Sequence, residues 1–525
     1  MHISLLFYSD TIAFLQAGPR QILGRAIANN DFLEALAKNK GSHHLSLFVS
    51  SDAELQYLSE NCPYLKNNGV TLVPFCKARD YVQKKPVDVL HVLDNEVFKG
   101  LYFRDHVLKQ NCAVTGITHT LGHDAWLKWM HMNALHRPQS FDRLICTSPT
   151  AISVLECMQE SLPAALTAMP LEELPLGISK PDVLQTQGPI NITGIDPEAF
   201  VFLYFGRLSP RSKVDLRPMI FLFKRLVQAA PKKLHLILAG ARGNEDYPQE
   251  LARIVSEEGL DQQVTIAPDV SDHDKKVVFA RAQSFLAFSD NTQETFGLSI
   301  LEAKAHGLAV VAANWNGYRN LIKDGEDGFL INTLAGEGQD IINRVAPVQL
   351  DLLNQLLLSQ QVVIDLKHAE EICLKLVSDA SCLQSVQDKA KEDAQNFYWP
   401  ALLPRYLSLW EQLSQEAKQS AKHEAANVHL DFSKVFQSYP SQTFDPNLQV
   451  QTSARGDLAL AGKANLEYYP GVEAYLDTKI IVGLLKSCAH KKNMTALFKE
   501  QVGVSEEDLR FQVLWLLKND FLELV

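Results

Sequence analysis

Short apolar runs alternate with amphipathic stretches along the first 190 residues. Between the first two runs, apolar residues recur at helical spacing over residues 20–38. Alternating strands and helices are typical of a parallel sheet covered by helices on both faces, so we predict a Rossmann-like domain at 1–190. The runs have the length and polar boundaries of buried strands and lie at 3–8, 44–49, 70–74, 87–93, 113–118 and 143–147.

A second alternation begins near residue 199 and predicts another doubly wound domain, at 196–396 with a helical extension. Two facing Rossmann-like halves place a ligand cleft at the carboxyl ends of both sheets, so the predicted fold class is α/β. The predicted strands are 199–205, 234–239, 264–267, 284–288, 309–313 and 328–331, and the predicted helices are 218–229, 248–258, 272–282 and 295–306.

The rest of the chain predicts a helix, two linkers and a small module. The apolar and aromatic segment within 397–418 predicts a helix that packs back on the domains. Polar composition predicts linkers at 179–197 and 414–440. Residues 430–525 predict a small, mainly helical module with helices at 476–488 and 505–518 and a strand at 521–525. Its order suits a winged-helix-like packing, but without a clustered basic face we favour a docking or dimerising module.

Composition narrows the function classes. The 525 residues are 46% hydrophobic and 21% charged, which suits large cores. A formal charge of -11 disfavours a nucleic-acid binder. The chain has no uninterrupted apolar run long enough for a membrane span. The eight scattered cysteines form no C-x-x-C pair, so we expect reduced core thiols in a cytoplasmic protein.

The strongest chemical signal lies at residues 289–331, where Glu294 and Glu302 are eight positions apart. With a helix starting near Thr295, the amides of residues 296–298 would be unpaired donors at its positive end, which is typical of a phosphate site. Glu302 would then reach paired hydroxyls such as those of a ribose. A surface helix with two solvated carboxylates is the alternative, which the flanking strand and glycine turn disfavour.

The second signal lies at residues 205–218, directly after a predicted strand. Arg207, Arg211 and Lys213 cluster in one loop at the carboxyl edge of the sheet. Cations in that place suit a diphosphate whose bond to a sugar breaks, because the leaving charge needs fixed positive partners.

Together these motifs closely resemble the nucleotide-sugar-binding domain of retaining glycosyltransferases with the GT-B fold, glycosyltransferase family 4 (glycosyl transferases group 1). The resemblance is strong over 200–331, looser over 1–190 and 390–413, and absent from the tail. The matching elements are Gly206, Arg207, Leu208 and Lys213 in the basic loop, Glu294 and Glu302 in the acidic element, and the segments 307–311 and 324–330.

The resemblance implies a role for each matching residue. Arg207 and Lys213, beside the Gly206 turn, would grip the donor diphosphate, and Glu302 would hydrogen-bond the ribose. Glu294 would contact the transferred sugar near its 3-hydroxyl. The family more often has Lys five positions after Arg, whereas here Lys213 is six after and Arg211 four after, so Arg211 stays open as a partner. The backbone donors to sugar or phosphate would be the amides of Phe296, Gly297 and Leu298.

In the first half the resemblance implies two further residues. Gly24, in the turn before the first helix, would face the donor phosphates. His119, at the end of a strand, would lie near the sugar 6-hydroxyl and the reaction centre. His123 is the weaker candidate, and Ser148 is better explained as a helix N-cap.

The activity implied is transfer of a hexose from a nucleotide diphosphate sugar, such as a UDP-sugar, with retention at the anomeric carbon and by a front-face reaction. No D-x-D motif follows a suitable strand, which is consistent with metal independence, and no cofactor is expected. The expected partners are a nucleotide sugar and an acceptor, with a homo-oligomer or a docked partner held through the C-terminal module. A phosphorylase or a silent GT-B scaffold stays an alternative, whereas a nicotinamide or flavin oxidoreductase would need a G-x-G-x-x-G motif that residues 240–243 do not supply.

Overall fold

The computed structural model describes residues 1–6, 24–123, 125–182, 192–243, 246–336, 340–346, 348–421, 425, 430–442, 444–469, 472 and 475–525. Two parallel sheets dominate it, each accompanied by helices. The predicted α/β fold class with two doubly wound halves is therefore confirmed.

The first sheet has seven strands in the order β3-β2-β1-β4-β5-β6-β7. The strands are β1 (His2–Leu6), β2 (His44–Val49), β3 (Thr71–Pro74), β4 (Val89–Val92), β5 (Ala113–Ile117), β6 (Arg143–Cys146) and β7 (Leu171–Glu173). The helices are α1 (Gly24–Asn39), α2 (Asp52–Asn61), α3 (Pro63–Asn67), α4 (Ala78–Lys84), α5 (Val97–Tyr102), α6 (Ala125–Leu135) and α7 (Pro149–Gln159), with a 3-10 turn at Phe75–Lys77 and a π-helical turn at Phe103–Leu108. The sequence pattern missed β7, because three partly exposed residues give no apolar run.

The second sheet has six strands in the order β10-β9-β8-β11-β12-β13. The strands are β8 (Phe200–Phe205), β9 (Leu234–Gly240), β10 (Val264–Pro268), β11 (Ser284–Ala287), β12 (Ala309–Ala313) and β13 (Phe329–Ile331). The helices are α8 (Arg217–Ala229), α9 (Tyr247–Glu257), α10 (Asp272–Arg281), α11 (Leu298–Ala305) and α12 (Tyr318–Leu321). The strand order reverses between the parallel neighbours β8 and β11, and ligands bind outside the carboxyl ends of strands at such a switch point.

The helical extension of the second half also contains a two-stranded antiparallel sheet, which the sequence pattern did not predict. The elements are β14 (Thr333–Ala335), α13 (Asp340–Val345), α14 (Leu352–Ser359), β15 (Val362–Ile364), α15 (Leu366–Ser378), α16 (Ala380–Ala394), a 3-10 turn at Gln395–Phe397 and α17 (Trp399–Gln419).

Helix α17 returns from the second half to pack on the first. The Trp399 Nε1 donates to Asp31 at 2.7 Å, and the Trp410 Nε1 donates to Thr115 on β5 at 3.2 Å. Trp399, Tyr406 and Trp410 are almost fully buried. Burial of each such ring contributes roughly 2–3 kcal/mol, so this helix stabilises the pair of halves.

Residues 427–525 form a second compact unit together with residues 49–62 and 72–81. Its three-stranded antiparallel sheet has the order β17-β16-β18, with β16 (Gln449–Thr452), β17 (Lys492–Asn493) and β18 (Leu522–Leu524). The Ser505 side chain accepts from the Asp508 amide and caps the last helix, as the N-cap pattern predicts. The sequence pattern missed β16 and β17, because these strands are short and mostly polar. The helices are α18 (Phe432–Val435), α19 (Ala454–Leu460), α20 (Thr478–Ser487), α21 (Met494–Glu500) and α22 (Glu506–Lys518).

The structure differs from several sequence predictions, and some predicted segments lie partly outside the described residues. Helix α11 begins at Leu298, three residues after the predicted start. Helix α17 runs to Gln419, so the second linker begins later than predicted. Cys76 and Cys157 are exposed, so the expectation of core thiols was wrong for them. Parts of the predicted first strand, first helix and both linkers lie outside the described residues: 7–8, 20–23, 183–191, 422–424 and 426–429.

Within the described ranges, no helix combines the length and the apolar character needed to cross a bilayer.

Candidate active site

The basic loop, residues 206–216, follows β8 at the switch point of the second sheet. Gly206 leaves room there for the hydroxyl of Tyr204, because a Cβ at this position would lie 2.7 Å from that oxygen. The hydroxyl donates to the Arg207 carbonyl at 3.1 Å. The Arg207 guanidinium donates to Ser212 at 3.1 Å, and burial lowers its pKa below the ordinary value. Arg207 is thus a partly desolvated cation held within the loop.

The acidic turn, residues 289–297, follows β11 on the other side of the switch point. Lys213 of the basic loop forms an ion pair with Glu294 of this turn, and only 10% of the glutamate side chain is exposed. Burial by itself would raise the pKa of Glu294, but the charge and hydrogen bond of Lys213, together with the Tyr318 hydroxyl, hold it below the ordinary value. Two predicted site residues that are 81 positions apart therefore meet as an ionised pair.

Gly297 caps α11 in a left-handed conformation that favours glycine, with φ at 115°. The helix begins at the next residue, and the Phe296 amide donates to the Glu294 carboxylate at 3.4 Å. The prediction that the Phe296 amide is an unpaired first-turn donor was wrong, because the turn folds back over Glu294. Leu298 occupies the first helical position, and Glu302 lies just past the first turn of α11.

Glu302 is paired with a residue that the sequence motifs did not include. The Lys275 Nζ on α10 lies 2.8 Å from the Glu302 carboxylate, and about one third of each side chain is exposed. The same ammonium lies 5.2 Å from the ring centre of Phe205, the last residue of β8. Lys275 therefore holds the second acidic residue near the strand that leads into the basic loop.

Residues after β12 complete the surroundings of Glu294. The Tyr318 hydroxyl donates to the Glu294 carboxylate at 3.1 Å, and the Asn316 side-chain amide donates to the Glu294 carbonyl. Neither residue was among the sequence candidates. The one available signal was their place shortly after an apolar strand, because the carboxyl ends of parallel strands collect site residues.

Arg211 contributes through its backbone. Its carbonyl accepts from the Asn291 side-chain amide at 3.2 Å. Asn291 lies in the acidic turn and is fully buried. The contact ties the middle of the basic loop to the acidic turn, a function that the charge of Arg211 did not suggest.

His119 lies at the contact between the two halves. Its carbonyl accepts from the Thr295 hydroxyl of the acidic turn. Burial, with the nearby Arg25 adding to it, lowers the pKa of His119 to about 3 against a hydrogen bond to the Leu93 carbonyl. The Nε2 atom is buried and has no partner among the described residues. The ring is therefore neutral near pH 7, with Nδ1 as the donor to Leu93 and Nε2 as an acceptor.

Further hydrogen bonds connect the halves around His119. Ser148 caps α7, as predicted, and its hydroxyl also donates to the Thr295 carbonyl at 3.3 Å. The side-chain amide of Gln355 on α14 donates to the Gly122 carbonyl at 2.6 Å, while its oxygen accepts from the Thr292 hydroxyl. The loop after β5 is thus bound to the acidic turn at several points.

The other first-half candidates lie differently. Gly24 starts α1, is exposed, and a Cβ there would meet nothing within 4 Å, so the described structure gives no steric reason for glycine. Its neighbour Arg25, which the motifs missed, pairs with Asp94 at 2.6 Å beyond the end of β4. His123 is exposed and stacks on Trp129, with ring centres 5.6 Å apart.

Known proteins resemble the sequence of this chain over part of its length. Residues 189–345 match the family model described as Glycosyl transferases group 1. The D-inositol 3-phosphate glycosyltransferase of Nocardioides sp. (strain ATCC BAA-499 / JS614) is 32% identical over 149 residues, which are 27% of this chain and 32% of that protein. The enzyme of the same name from Stackebrandtia nassauensis is 28% identical over 229 residues, 41% of this chain and 50% of that protein. The matches therefore span about a third of the length of the first relative and half of the length of the second.

Solved structures extend the likeness over both halves. Sucrose-phosphate synthase from Thermosynechococcus elongatus has a TM-score of 0.53 at 17% identity, covering 79% of this chain and 100% of that one. A glycosyltransferase from Rickettsia africae ESF-5 has a TM-score of 0.54 at 12% identity, covering 80% and 99%. Anabaena Alr3699/HepE in complex with UDP-glucose has a TM-score of 0.50 at 16% identity, covering 80% and 100%. The chain therefore has the GT-B fold, and its residues 189–345 match the family model of the glycosyl transferases group 1.

Proposed function

We propose that the chain is a retaining glycosyltransferase that moves a hexose from a nucleotide diphosphate sugar to an acceptor hydroxyl. The observation that carries the proposal is the Lys213–Glu294 ion pair, which joins the two loops at the switch point of the second sheet. Lys213, a cation that can bind the diphosphate, therefore lies beside Glu294, an ionised group that can accept hydrogen bonds from sugar hydroxyls. Both residues lie within the segment that matches the group 1 family.

The cations supply the stabilisation that the leaving group needs. In the proposed front-face step, the bond between the anomeric carbon and the diphosphate oxygen breaks while the acceptor oxygen forms a bond to that carbon. The acceptor proton passes to the departing phosphate oxygen. Arg207 and Lys213 balance the charge that develops on the diphosphate, which is the part that a divalent metal plays in other transferases. We therefore propose a metal-independent reaction.

The remaining residues position the donor. Glu294 stays ionised because of Lys213 and accepts hydrogen bonds from hydroxyls of the transferred sugar. Glu302 accepts from the ribose, oriented by Lys275. His119 offers the unpartnered Nε2 as an acceptor to a sugar hydroxyl, and its low pKa keeps it uncharged near neutral pH.

The known proteins suggest which substrates to test first. The Anabaena structure holds UDP-glucose, which supports a UDP-sugar as the first donor. The curated relatives are named for D-inositol 3-phosphate, so that compound is one acceptor to include.

The test begins with the wild-type chain and a panel of UDP-, GDP- and ADP-sugars, with the melting temperature as the readout. Release of the nucleoside diphosphate is then measured for the best donor, with and without EDTA, and NMR assigns the anomeric configuration of the product. We expect Lys213→Ala and Glu302→Ala to lose most of the activity. Lys224→Ala is the matched control, because Lys224 on α8 pairs with Glu258 at 2.6 Å, outside both loops.

Three outcomes would contradict the proposal. Sugar transfer at the wild-type rate by both Lys213→Ala and Glu302→Ala would show that these residues do not carry the reaction. Release of sugar phosphate that depends on inorganic phosphate would indicate a phosphorylase. Nucleotide binding without turnover of any donor would indicate a silent scaffold.

A further inference from the structure

Two consecutive residues after β11 bind the backbone of the basic loop at two separate points. The Asp290 carboxyl accepts from the Asp215 amide at 3.3 Å. The Asn291 side-chain amide donates to the Arg211 carbonyl at 3.2 Å. Lys213 lies midway along the chain between these two contacts, so the pair holds the backbone on both sides of the lysine that meets Glu294.

Asn291 is itself fixed by its surroundings. It is fully buried, and its side-chain oxygen accepts from the Gln293 amide at 2.9 Å. Its carbonyl accepts from the Trp315 Nε1 at 3.1 Å. Asn291 therefore connects the acidic turn, the segment after β12 and the basic loop.

Asp290 has an unusual environment for a carboxyl group. It is 5% exposed, and its Oδ1 is buried without a partner among the described residues. The groups that face it are the Asp215 carboxylate, the Arg217 guanidinium bound to that carboxylate, and the Tyr204 phenol. Burial raises the pKa of Asp290 to about 8, with the Asp215 amide opposing the rise and the Asp215 charge adding to it. At pH 7 Asp290 is therefore mostly a neutral acid.

We propose that Asp290 and Asn291 are positioning residues of the donor site, which hold the basic loop in the conformation that places the Lys213 ammonium against Glu294. They act through the loop backbone and do not touch the donor. The kinetic part of this inference rests on the proposed function, whereas its structural part rests on the contacts of the loop.

The first test measures the loop directly, by hydrogen exchange of the Asp215 amide in the full chain. We expect Asp290→Leu to speed this exchange by about tenfold or more, because the amide loses its acceptor, a loss of the size of one hydrogen bond. Asp290→Asn keeps a neutral acceptor of the same shape and should leave the exchange near the wild-type rate. Asp365→Asn is the control, because that carboxylate caps α15 through the His368 amide at 3.0 Å.

Asn291→Ala provides a second, independent variant if Asp290→Leu does not fold. It should speed exchange across residues 211–213 while the control stays at the wild-type rate. Exchange at the wild-type rate in every variant of Asp290 and Asn291 that folds would overturn the inference. An equal loss of protection at the Asp215 amide in Asp290→Asn and Asp290→Leu would overturn it as well.

The second test separates positioning from general folding through the pH profile. With UDP-glucose as the probe, or the best donor of the panel, we expect the wild-type KM to rise severalfold above pH 8 at nearly constant kcat. Ionised Asp290 then repels Asp215, which lies at the end of the loop. Asp290→Asn should remove this rise, and an identical rise in both proteins would overturn the inference. A wild-type chain that binds no nucleotide sugar would refute the proposed function alone, because the exchange experiment still decides the role of the pair.

Discussion

The Tyr318 hydroxyl donates to the same carboxylate oxygen of Glu294 that Lys213 binds, at 3.1 Å. Tyr318 is 2% exposed, and burial raises the pKa of its phenol well above the ordinary value, so it remains a donor at every pH of interest. This carboxylate oxygen therefore receives one ionic hydrogen bond from the basic loop and one neutral hydrogen bond from the first residue of α12. This geometry holds the pKa of Glu294 below its ordinary value in a place where burial alone would raise it.

Tyr318→Phe should lower kcat/KM about tenfold while the fold is retained. A hydrogen bond to a charged group contributes about 1.5 kcal/mol or more, and one factor of ten corresponds to about 1.4 kcal/mol. Steady-state kinetics with the best donor checks this, with the melting temperature as a test of folding. Tyr439→Phe is the matched control, since Tyr439 is 80% exposed. An unchanged kcat/KM in Tyr318→Phe would remove Tyr318 from the site.

Gly297→Ala should destabilise the second half. The left-handed backbone at φ 115° is costly for a residue with a Cβ, by about 1–2 kcal/mol, and the new Cβ would lie 2.8 Å from the Tyr318 ring. Thermal unfolding measures the effect. Gly24→Ala is the stability control, because nothing lies within 4 Å of a Cβ there. Equal melting temperatures for the two variants would contradict this explanation of Gly297.

Gln355→Leu should weaken the contact between the halves. The substitution removes the side chain that binds both the Gly122 carbonyl and the Thr292 hydroxyl, and an unsatisfied buried polar group costs about 1–3 kcal/mol. We expect a lower melting temperature and faster hydrogen exchange in the loop after β5. Gln384→Leu serves as the control, because Gln384 is exposed and bonds to Asp388 on the surface of α16. Protection of the loop at the wild-type level would argue against the contact.

Asp290 should also make stability depend on pH. Its pKa in the folded state is raised to about 8, whereas in the unfolded chain it is about 3.9. Between about pH 4 and 8 the folded state therefore holds a proton that the unfolded chain has released, and the free energy of unfolding falls as pH rises through this window. Asp290→Asn removes this dependence. We expect the melting temperature of the variant relative to wild type to increase from pH 5 to pH 8.5, and a constant difference would contradict the assigned pKa.

Local patterns were enough to locate most of the strands and the two site loops. The predicted bounds of β2 (His44–Val49) and β12 (Ala309–Ala313) match the structure, because a mostly apolar run between polar residues is a property of the local sequence. The basic loop and the acidic pair were placed at strand ends for the same reason. Short polar strands such as β7 (Leu171–Glu173) and β17 (Lys492–Asn493) carry no such signal, and a partner strand decides their pairing.

The amino-acid sequence by itself determined which residues carry charge, which follow a strand, and that the fold is α/β with two halves. Only the tertiary structure decided which of those residues meet. Lys213 finds Glu294 because β8 lies beside β11, although β9 and β10 separate them along the chain. Tyr318, Lys275 and Asp290 joined the site for the same reason. Side-chain chemistry is local to each residue, whereas a contact between loops depends on strand order and on packing that no short stretch of sequence specifies.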